Sequence, residues 1–283
     1  MDYSDKLASF DMIHSLVQDI KGKKVVVKYG GAAMKDMILT DKVIANILLL
    51  HDLGVQFVIV HGGGPAINKC LEKLQIQPKF DKGIRVTDPS TMQVVQMVLA
   101  GQVNKNIVAM LNKNNPRAVG LSGHDSNLIR ALPIDSKSNN RVAEVDHLNV
   151  EVIKLLLKNQ YIPVIAPLGV NEAGLSYNIN ADIVAGSIAA ELNADMLIML
   201  TDTPGILKDC KDVNSVFGSL TATQVTDLIA SGYIFGGMIP KVESCLNALK
   251  NGVSIAKIID GRVPNSLLCS LMDDVIVGTT IKS

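Results

Sequence analysis

Short, almost continuously apolar runs rich in β-branched residues alternate along this chain with longer stretches in which apolar residues recur every three or four positions. Runs of the first kind are typical of strands buried on both faces, and stretches of the second kind are typical of helices. The predicted strands are 24–29, 55–61, 161–166, 195–201 and 254–260. The predicted helices are 35–53, 65–74, 89–112, 149–159, 181–192, 223–230 and 240–251. This alternation predicts the α/β class, a three-layer αβα sandwich with a mainly parallel central sheet and ligand-binding groups at the carboxyl ends of the strands.

Two stretches interrupt the alternation, and both are predicted to be hairpins or surface excursions. They are 77–88 (Q-P-K-F-D-K-G-I-R-V-T-D) and 128–145, whose polar centre at 135–140 indicates a plain exposed loop. At the front, an apolar stripe with helical spacing predicts an amphipathic helix over residues 1–21. The stripe consists of Leu7, Phe10, Ile13, Val17 and Ile20. Such a stripe needs an apolar surface to cover, on its own subunit or on another.

The composition favours small-molecule chemistry. A formal net charge of +0 gives neither a basic surface for nucleic acid nor a polybasic membrane patch. No run reaches membrane-spanning length without a charge or a glycine, and the acidic beginning does not favour a signal or transit peptide. The four cysteines lie far apart with no C-x-x-C spacing, which fits a reducing compartment. Abundant Lys, Asn and Ile are typical of AT-rich genomes, so the predicted location is the cytoplasm, or the plastid stroma for an organelle gene.

Three glycine clusters carry the candidate chemistry. They are K-Y-G-G (28–31), H-G-G-G-P (61–65) and G-G-M-I-P-K (236–241), of which the second and third are predicted to follow strands and to open helices. Glycine lets the backbone approach a ligand closely, and a helix N-terminus presents free N–H groups and a partial positive charge. Both features suit phosphate. Lys28 and Lys241 add the cations that a phosphoryl group in transfer needs.

The clusters also have purely structural interpretations. The glycines at 62–64 would make a tight turn in any α/β protein, and Ile67 breaks the dinucleotide-binding pattern G-x-G-x-x-G. No P-loop pattern occurs in the sequence. Lys28 is the stronger signal, because a lysine that ends a buried strand is costly unless it faces an anionic partner.

Polar residues also precede the predicted helix at 181–192. Asn178 or Asn180 is predicted to cap this helix, where the helix dipole would favour Asp182. The Asp182 carboxylate would also hold the two lysines by ion pairs or reach Mg²⁺ through water. The segment L-T-D-T-P-G (200–205) is predicted to be a turn across which the edge of a nucleotide would lie.

Arg85 lies among apolar residues in the first excursion. Its guanidinium would clamp a carboxylate at two points, although most arginines on hairpins are simply solvated. The histidines show no metal-ligand spacing, so structural or surface roles are predicted for His14, His51, His61, His124 and His147. Neither a Ser-His-Asp arrangement nor a paired-carboxylate motif is evident.

Taken in order, eight motifs closely resemble those of the acetylglutamate kinases of arginine biosynthesis, members of the amino-acid kinase fold. They are K-Y-G-G-A-A-M (28–34), V-H-G-G-G-P (60–65), G-I-R-V-T-D (83–88), G-L-S-G-x-D (120–125), N-I-N-A-D (178–182), L-T-D-T-P-G-I-L (200–207), G-G-M-I-P-K (236–241) and I-I-D-G-R-V-P (258–264). The resemblance covers essentially the whole chain. It implies transfer of the γ-phosphoryl group of ATP, carried with Mg²⁺, to the γ-carboxylate of N-acetyl-L-glutamate, with no metal held directly by the protein.

The resemblance also implies roles for individual residues. Lys28 and Lys241 match the stabilisers of the transition state, and Asp182 matches the residue that organises them. The matched acetylglutamate-binding positions are Gly63, Gly64, Arg85 and Asn178. The matched nucleotide-binding positions are Gly30, Gly31, Thr201, Asp202, Gly205, Gly236 and Gly237. One amino-acid kinase domain is implied over 1–283, with an N-terminal helix (1–21), an acetylglutamate-binding lobe (about 22–177) and an ATP-binding lobe (about 178–283).

Other activities remain open on the same fold. Aspartokinase, carbamate kinase and uridylate kinase are the alternatives among enzymes, although aspartokinases usually append regulatory domains for which this length leaves no room. A different class of alternative is an amino-acid or nucleotide sensor without catalysis. The presence of both lysines and Asp182 argues against the sensor.

Assembly and regulation follow from the resemblance too. The segment 28–34 and the N-terminal stripe resemble the arginine-inhibited branch, in which such helices interlace dimers into a ring-shaped hexamer. A homohexamer, or at least a dimer, is therefore predicted, and the P-II signalling protein is a possible partner. The tail departs from that branch, with Asn265, Ser270 and Ile276 in place of a His, a Glu and a glycine. Losing a carboxylate that would grip a guanidinium weakens the expectation of feedback inhibition by arginine.

Overall fold

The computed structural model describes residues 14–15, 17–30, 34, 36–81, 83–135, 138–209, 211–272 and 275–283. The first half of the chain contains β1 (Lys24–Tyr29), α1 (Met37–Asp52), β2 (Gln56–His61), α2 (Gly64–Lys73), β3 (Lys79–Asp81), β4 (Ile84–Val86), α3 (Pro89–Gln96), α4 (Asn104–Leu111), β5 (Ala118–Ser122), β6 (Ile129–Pro133) and β7 (Val142–Leu148). The second half contains α5 (Glu151–Lys158), β8 (Ile162–Ala166), β9 (Leu168–Val170), β10 (Ser176–Ile179), α6 (Ala181–Glu191), β11 (Met196–Thr201), β12 (Ser219–Thr221), α7 (Ala222–Ala230), α8 (Ile239–Lys250), β13 (Ile255–Asp260), α9 (Ser266–Ser270) and β14 (Thr279–Lys282).

An eight-stranded sheet forms the central layer, in the order β12-β14-β13-β11-β1-β2-β8-β5. Its strands pair in parallel except at β13–β14, where the pairing is antiparallel. Strand β1 lies between β11 and β2, and its side chains alternate between two apolar cores. Val26 packs into the core beneath α5, α6 and α8, whereas Val25 and Val27 pack into the core beneath α1 to α4. Helices thus cover both faces, which confirms the three-layer αβα sandwich.

The five predicted strands and seven predicted helices are present, with ends within two residues of those predicted. The predicted helix 89–112 is divided by a π-helical segment, Met97–Val103. By length and composition alone, the helical stretch Pro89–Leu111 is long and apolar enough to cross a membrane. Its buried side chains, such as Val95 and Ile107, pack into the second core as those of a core helix do.

The prediction of a plain exposed loop within 128–145 is wrong. This stretch forms the antiparallel hairpin β6–β7, which closes with β9 and β10 into a small four-stranded sheet. Apolar side chains that alternate with polar ones, among them Ile129, Ala131 and Val142, are buried beneath it. The other excursion is confirmed as a hairpin, because β3 and β4 pair antiparallel.

The third glycine cluster also departs from its prediction, since it does not follow a strand. Helix α7 and a short loop precede it, and Gly236–Met238 forms a 3₁₀ turn that opens α8. Of the N-terminal stripe, Leu7, Phe10 and Ile13 lie outside the described residues, as does Gly31. Ile20 is buried in the core of its own subunit.

Candidate active site

The centre of the site is a carboxylate shared by two lysines. Lys28 Nζ lies 2.9 Å from Asp182 Oδ1, and Lys241 Nζ lies 2.8 Å from Asp182 Oδ2. Lys28 and Asp182 are only 8% and 5% exposed. The ion pairs predicted from the sequence are therefore present, between residues that are 59 and more positions apart.

Three elements bring these side chains together. Lys28 is the last residue but one of β1, Asp182 lies in the first turn of α6, and Lys241 lies in the first turn of α8. The cap of α6 is Asn180, whose Oδ1 accepts from the backbone N–H of Asp182 at 2.8 Å. Asn178, the other predicted cap, lies instead in β10. Because α6 and α8 pack against each other, their first turns face the end of β1 from the same side.

Electrostatics favour the charged form of the carboxylate in this cluster. Burial alone would raise the pKa of Asp182, but the charges of Lys28 and Lys241 offset it and hold this pKa below its usual value. Burial lowers the pKa of Lys28, and Lys241 lowers it further, while Asp182 raises it. Two ammonium groups and one carboxylate leave a net positive charge in a buried place. Such a place attracts an anion.

A cavity of about 570 Å³, here the first cavity, lies on one side of the cluster. The predicted acetylglutamate-binding residues all line it: Gly63, Gly64, Arg85 and Asn178. Arg85 is fixed on β4 because its Nη2 donates to Asn68 Oδ1 and its guanidinium lies 4.8 Å from the Phe80 ring centre. Its Nη1 is buried and has no hydrogen-bond partner in the part of the chain that the structure describes. A buried donor without a partner is costly, so this nitrogen is available to an anionic ligand.

Asn178 and Arg85 are tied together through Thr87. Asn178 Nδ2 lies 3.5 Å from Thr87 Oγ1, which donates to the Arg85 carbonyl oxygen at 2.9 Å. Asn140, from the hairpin β6–β7, accepts from the Thr87 backbone N–H at 2.8 Å. Sequence reasoning gave no role to Thr87 or Asn140. Thr87 lies in the motif at 83–88 but meets Asn140, 53 residues away, only in the fold, and Asn140 belongs to none of the motifs.

A second cavity, of about 500 Å³, lies on the other side of the cluster. Its lining includes five residues predicted for the nucleotide or for catalysis, namely Thr201, Asp202, Gly205, Gly237 and Lys241. Gly236 and Gly30 are not among its described lining residues. Gly30 lies instead against the turn formed by Gly62 to Gly64, called the glycine turn below. A Cβ added at Gly30 would stand 3.3 Å from both Gly62 and Lys28 Nζ.

The two cavities meet at the first turn of α8. Pro240 lines the first cavity, and its neighbour Lys241 lines the second. The arrangement therefore offers two anion-binding spaces with a positive cluster at their junction, which suits the transfer of a charged group from one ligand to another.

The tail residues that depart from the arginine-inhibited branch lie in and around α9. Asn265 has left-handed backbone (φ 63) and its Oδ1 accepts from Asn46 Nδ2 at 3.1 Å. Ser270 is buried and donates to the Leu267 carbonyl oxygen, while Ile276 is exposed. The weakened expectation of arginine inhibition remains a prediction.

Comparison with known proteins agrees with this geometry. The model of the amino acid kinase family matches residues 23–260. The acetylglutamate kinase of Nostoc punctiforme is 50% identical over 265 residues, which are 94% of this chain and 89% of that one. The acetylglutamate kinase of Porphyra purpurea is 46% identical over 267 residues, 94% of each chain.

A solved structure adds evidence on the fold alone. N-acetylglutamate synthase from Neisseria gonorrhoeae, complexed with coenzyme A and N-acetyl-glutamate, superposes with a TM-score of 0.85 at 24% identity. The superposition covers 98% of this chain and 63% of the synthase chain, so this chain spans less than two thirds of that protein. With the family model and the kinase relatives both covering most of its length, the chain belongs to the amino acid kinase family, among its acetylglutamate kinases.

Proposed function

We propose that this kinase transfers the γ-phosphoryl group of ATP to the γ-carboxylate of N-acetyl-L-glutamate and forms N-acetyl-L-glutamyl 5-phosphate. The observation that carries the proposal is the cluster of Lys28, Asp182 and Lys241 at the junction of two cavities. The first cavity takes acetylglutamate and the second takes the nucleotide.

The first cavity suits a dicarboxylate. Arg85 Nη1, buried and without a partner in the described structure, would take one carboxylate of acetylglutamate. The other carboxylate would then extend toward the turn of Gly63 and Gly64 and toward Lys28. The apolar side chains of Ile67 and Leu99 also line this cavity and offer a surface for the acetyl and methylene groups.

The chemistry needs no general base, since a carboxylate is already a nucleophile. A γ-carboxylate oxygen forms a bond to the γ-phosphorus as the bond from that phosphorus to the β,γ-bridging oxygen breaks, and ADP leaves with the electron pair. The obstacle is the approach of one anion to another. Lys28 and Lys241 reduce it by placing positive charge beside both reactants, and Asp182 fixes the two ammonium groups in position.

Mg²⁺ carried by the nucleotide would neutralise part of the phosphate charge. Both carboxylate oxygens of Asp182 already face ammonium groups, so they suit orientation of the lysines better than direct metal coordination. Among the described residues, no group of three or more His, Cys, Asp and Glu has the spacing to hold a metal ion.

The assembly follows the same resemblance, and the location follows the composition. A hexamer of three dimers, with a dimer as the alternative, would use the N-terminal stripe, and a P-II protein would be a partner of the hexamer. The cytoplasm or the plastid stroma would house it. Because Ile20 is buried in its own subunit, a truncation that tests the hexamer should remove only residues 1–13. Light scattering of the truncated protein should then show dimers, and an unchanged mass would contradict this use of the stripe.

Acyl phosphates react with hydroxylamine, so ATP-dependent hydroxamate formation tests the reaction. Acetylglutamate, glutamate and aspartate are compared as acceptors at equal concentration. The proposal predicts hydroxamate from acetylglutamate well above that from the other two. Preference for aspartate would favour an aspartokinase, and no turnover with any acceptor would favour a sensor.

A further inference from the structure

His61 is a buried histidine that directly precedes the glycine turn of Gly62 to Gly64, and the role inferred for it rests on the proposed function. His61 Nδ1 lies 2.8 Å from the Gly62 carbonyl oxygen. A carbonyl oxygen only accepts hydrogen bonds, so Nδ1 must carry the proton. Asn104 Nδ2, a donor, lies 3.2 Å from His61 Nε2, which therefore must accept. These two contacts fix one neutral tautomer of the ring.

Asn104 is itself fixed in place. It is fully buried, and its Nδ2 also lies 2.8 Å from the Val164 carbonyl oxygen on β8 and 3.3 Å from that of Leu121 on β5. Gly120 makes room for the amide, because a Cβ at that position would stand 2.0 Å from Asn104 Oδ1. The amide nitrogen has two N–H groups for these two carbonyl oxygens and for His61 Nε2, so one N–H is shared: Val164, the nearest acceptor, orients the amide, and His61 and Leu121 lie at the longer distances.

The π-helical segment Met97–Val103 supplies this geometry. Asn104, the first residue after it, contacts His61 at the end of β2, and Leu99, inside it, lies against Gly63. Leu99 packs so closely on the turn that a Cβ at Gly63 would stand 2.4 Å from Leu99 Cδ2. Single π-helical turns within α-helices are frequent at functional sites.

The peptide between Gly62 and Gly63 connects these contacts to the first cavity, because its orientation fixes the direction of the Gly63 N–H. It is planar and trans, so the Gly63 N–H points away from the Gly62 carbonyl that His61 holds. The preceding peptide is fixed as well, since the Gly62 N–H donates to the Tyr29 carbonyl oxygen at 2.7 Å. Gly63 lines the first cavity. We propose that His61, held by Asn104, is a positioning residue that directs the Gly63 N–H at the reacting carboxylate of the acceptor.

The test compares variants at both positions. His61→Leu removes both ring nitrogens, Asn104→Leu removes the donor that fixes the tautomer, and His61→Asn keeps a donor near the Gly62 carbonyl. A misdirected donor should cut kcat/KM for acetylglutamate roughly 10- to 100-fold in His61→Leu, with KM for ATP changed less than twofold. Asn104→Leu should lower kcat/KM for acetylglutamate by a smaller factor. His61→Asn should retain most of the wild-type kcat/KM.

His51→Leu is the matched control. His51 also lies within hydrogen-bond distance of two carbonyl oxygens, those of Val55 and Gln160, but it does not touch the glycine turn. The His51→Leu variant should have a lower melting temperature than the wild-type protein and an unchanged KM for both substrates. If His61→Leu lowers the melting temperature but keeps kcat/KM within twofold, or raises both KM values equally, the positioning role is wrong.

Two further observations keep the proposal testable if His61→Leu does not fold. Nitrogen chemical shifts of ¹⁵N-histidine-labelled wild-type protein should show His61 protonated at Nδ1, and protonation at Nε2 would overturn the proposal. Asn104→Leu with wild-type kinetics would also overturn it. Absence of hydroxamate formation by the wild-type protein, in contrast, would reject the proposed function itself, so the two failures are distinguishable.

Discussion

The first and second cavities are built differently on the two sides of the same cluster. In the first, polar groups are buried and already held, as with Arg85, which Asn68 and Phe80 fix in place, and the glycine turn, which His61 fixes. In the second, the rim carries exposed aromatic rings, with Tyr233 61% and Phe235 60% exposed. Directed polar groups reject ligands that lack a matching atom, whereas apolar surface discriminates weakly. On the proposed function, the choice of acceptor is therefore expected to be made in the first cavity.

The largest expected effect lies at the junction that both cavities share. Lys28→Ala and Lys241→Ala should each lower kcat by roughly 10²–10³ or more, because each removes a cation beside the charge that moves in the transition state. Steady-state kinetics with both substrates saturating measure this. Lys24→Ala is the control, since Lys24 lies at the other end of β1 and its Nζ donates to the Leu192 carbonyl oxygen. Near-normal turnover in either active-site variant would remove the basis of the proposed function.

Arg85→Lys should separate the two cavities by substrate. An ammonium cannot reproduce a planar guanidinium that binds Asn68 with one nitrogen and a ligand with another, so KM for acetylglutamate should rise roughly tenfold. KM for ATP should stay within twofold. Arg117→Lys, in an ion pair with Asp52 outside both cavities, is the control. Equal increases in both KM values would contradict the assignment of the first cavity to the acceptor.

Two exposed phenylalanines allow a reciprocal comparison, because Phe80 lines the first cavity and Phe235 the second. Phe235→Ala should raise KM for ATP about two- to fivefold, since stacking of a base on a ring contributes on the order of 1 kcal/mol. Phe80→Ala should instead raise KM for acetylglutamate by a similar factor, because it removes the ring beneath Arg85. If both variants affect the same KM, the two cavities do not divide the substrates as described.

A separate expected effect is on stability and its pH dependence, and it comes from His61. Burial is the main reason that its pKa is lowered to about 4, from 6.5, and nearby Lys105 lowers it further. Between these values the unfolded chain binds a proton that the folded protein does not, so stability is lost as pH falls from about 6.5 toward 4. The loss from this residue approaches about 1.4 kcal/mol per pH unit. The free energy of unfolding, measured by denaturant melts at several pH values in this range, should fall less steeply with decreasing pH for His61→Asn than for the wild-type protein. Equal slopes for the two proteins would contradict the assignment.

The central sheet was predictable because its strands are buried on both faces. Runs such as K-V-V-V-K-Y in β1 and M-L-I-M-L-T in β11 are apolar almost throughout and have no competing helical period. Strands β5, β12 and β14 escaped prediction, since A-V-G-L-S contains glycine and S-L-T and T-T-I-K are short. The hairpin β6–β7 was mistaken for a loop because its polar centre obscured the alternation on either side.

The site was predictable where a motif concentrates its residues. Lys28, Asp182 and Lys241 each belong to one, and a lysine at the end of a buried strand needs a partner. Which residues share a cavity was not available from the motifs, as Gly30 and Gly236 show by not lining the second cavity. His61 gave no signal beyond its place before three glycines. Its role depends on Asn104, 43 residues away, and on a π-helical turn that no periodicity reveals.

Isotope transfer distinguishes attack on the γ-phosphorus by the acceptor carboxylate from attack by water. Acetylglutamate labelled with ¹⁸O in its γ-carboxylate is incubated with ATP, Mg²⁺, hydroxylamine and the protein. Hydroxylamine attacks the carbonyl carbon of the acyl phosphate, so the bridging oxygen leaves with phosphate. Attack by the carboxylate leaves one ¹⁸O in each phosphate released, together with an equal amount of hydroxamate. Phosphate without ¹⁸O would show that water, and not the carboxylate, attacks ATP, and would contradict the account.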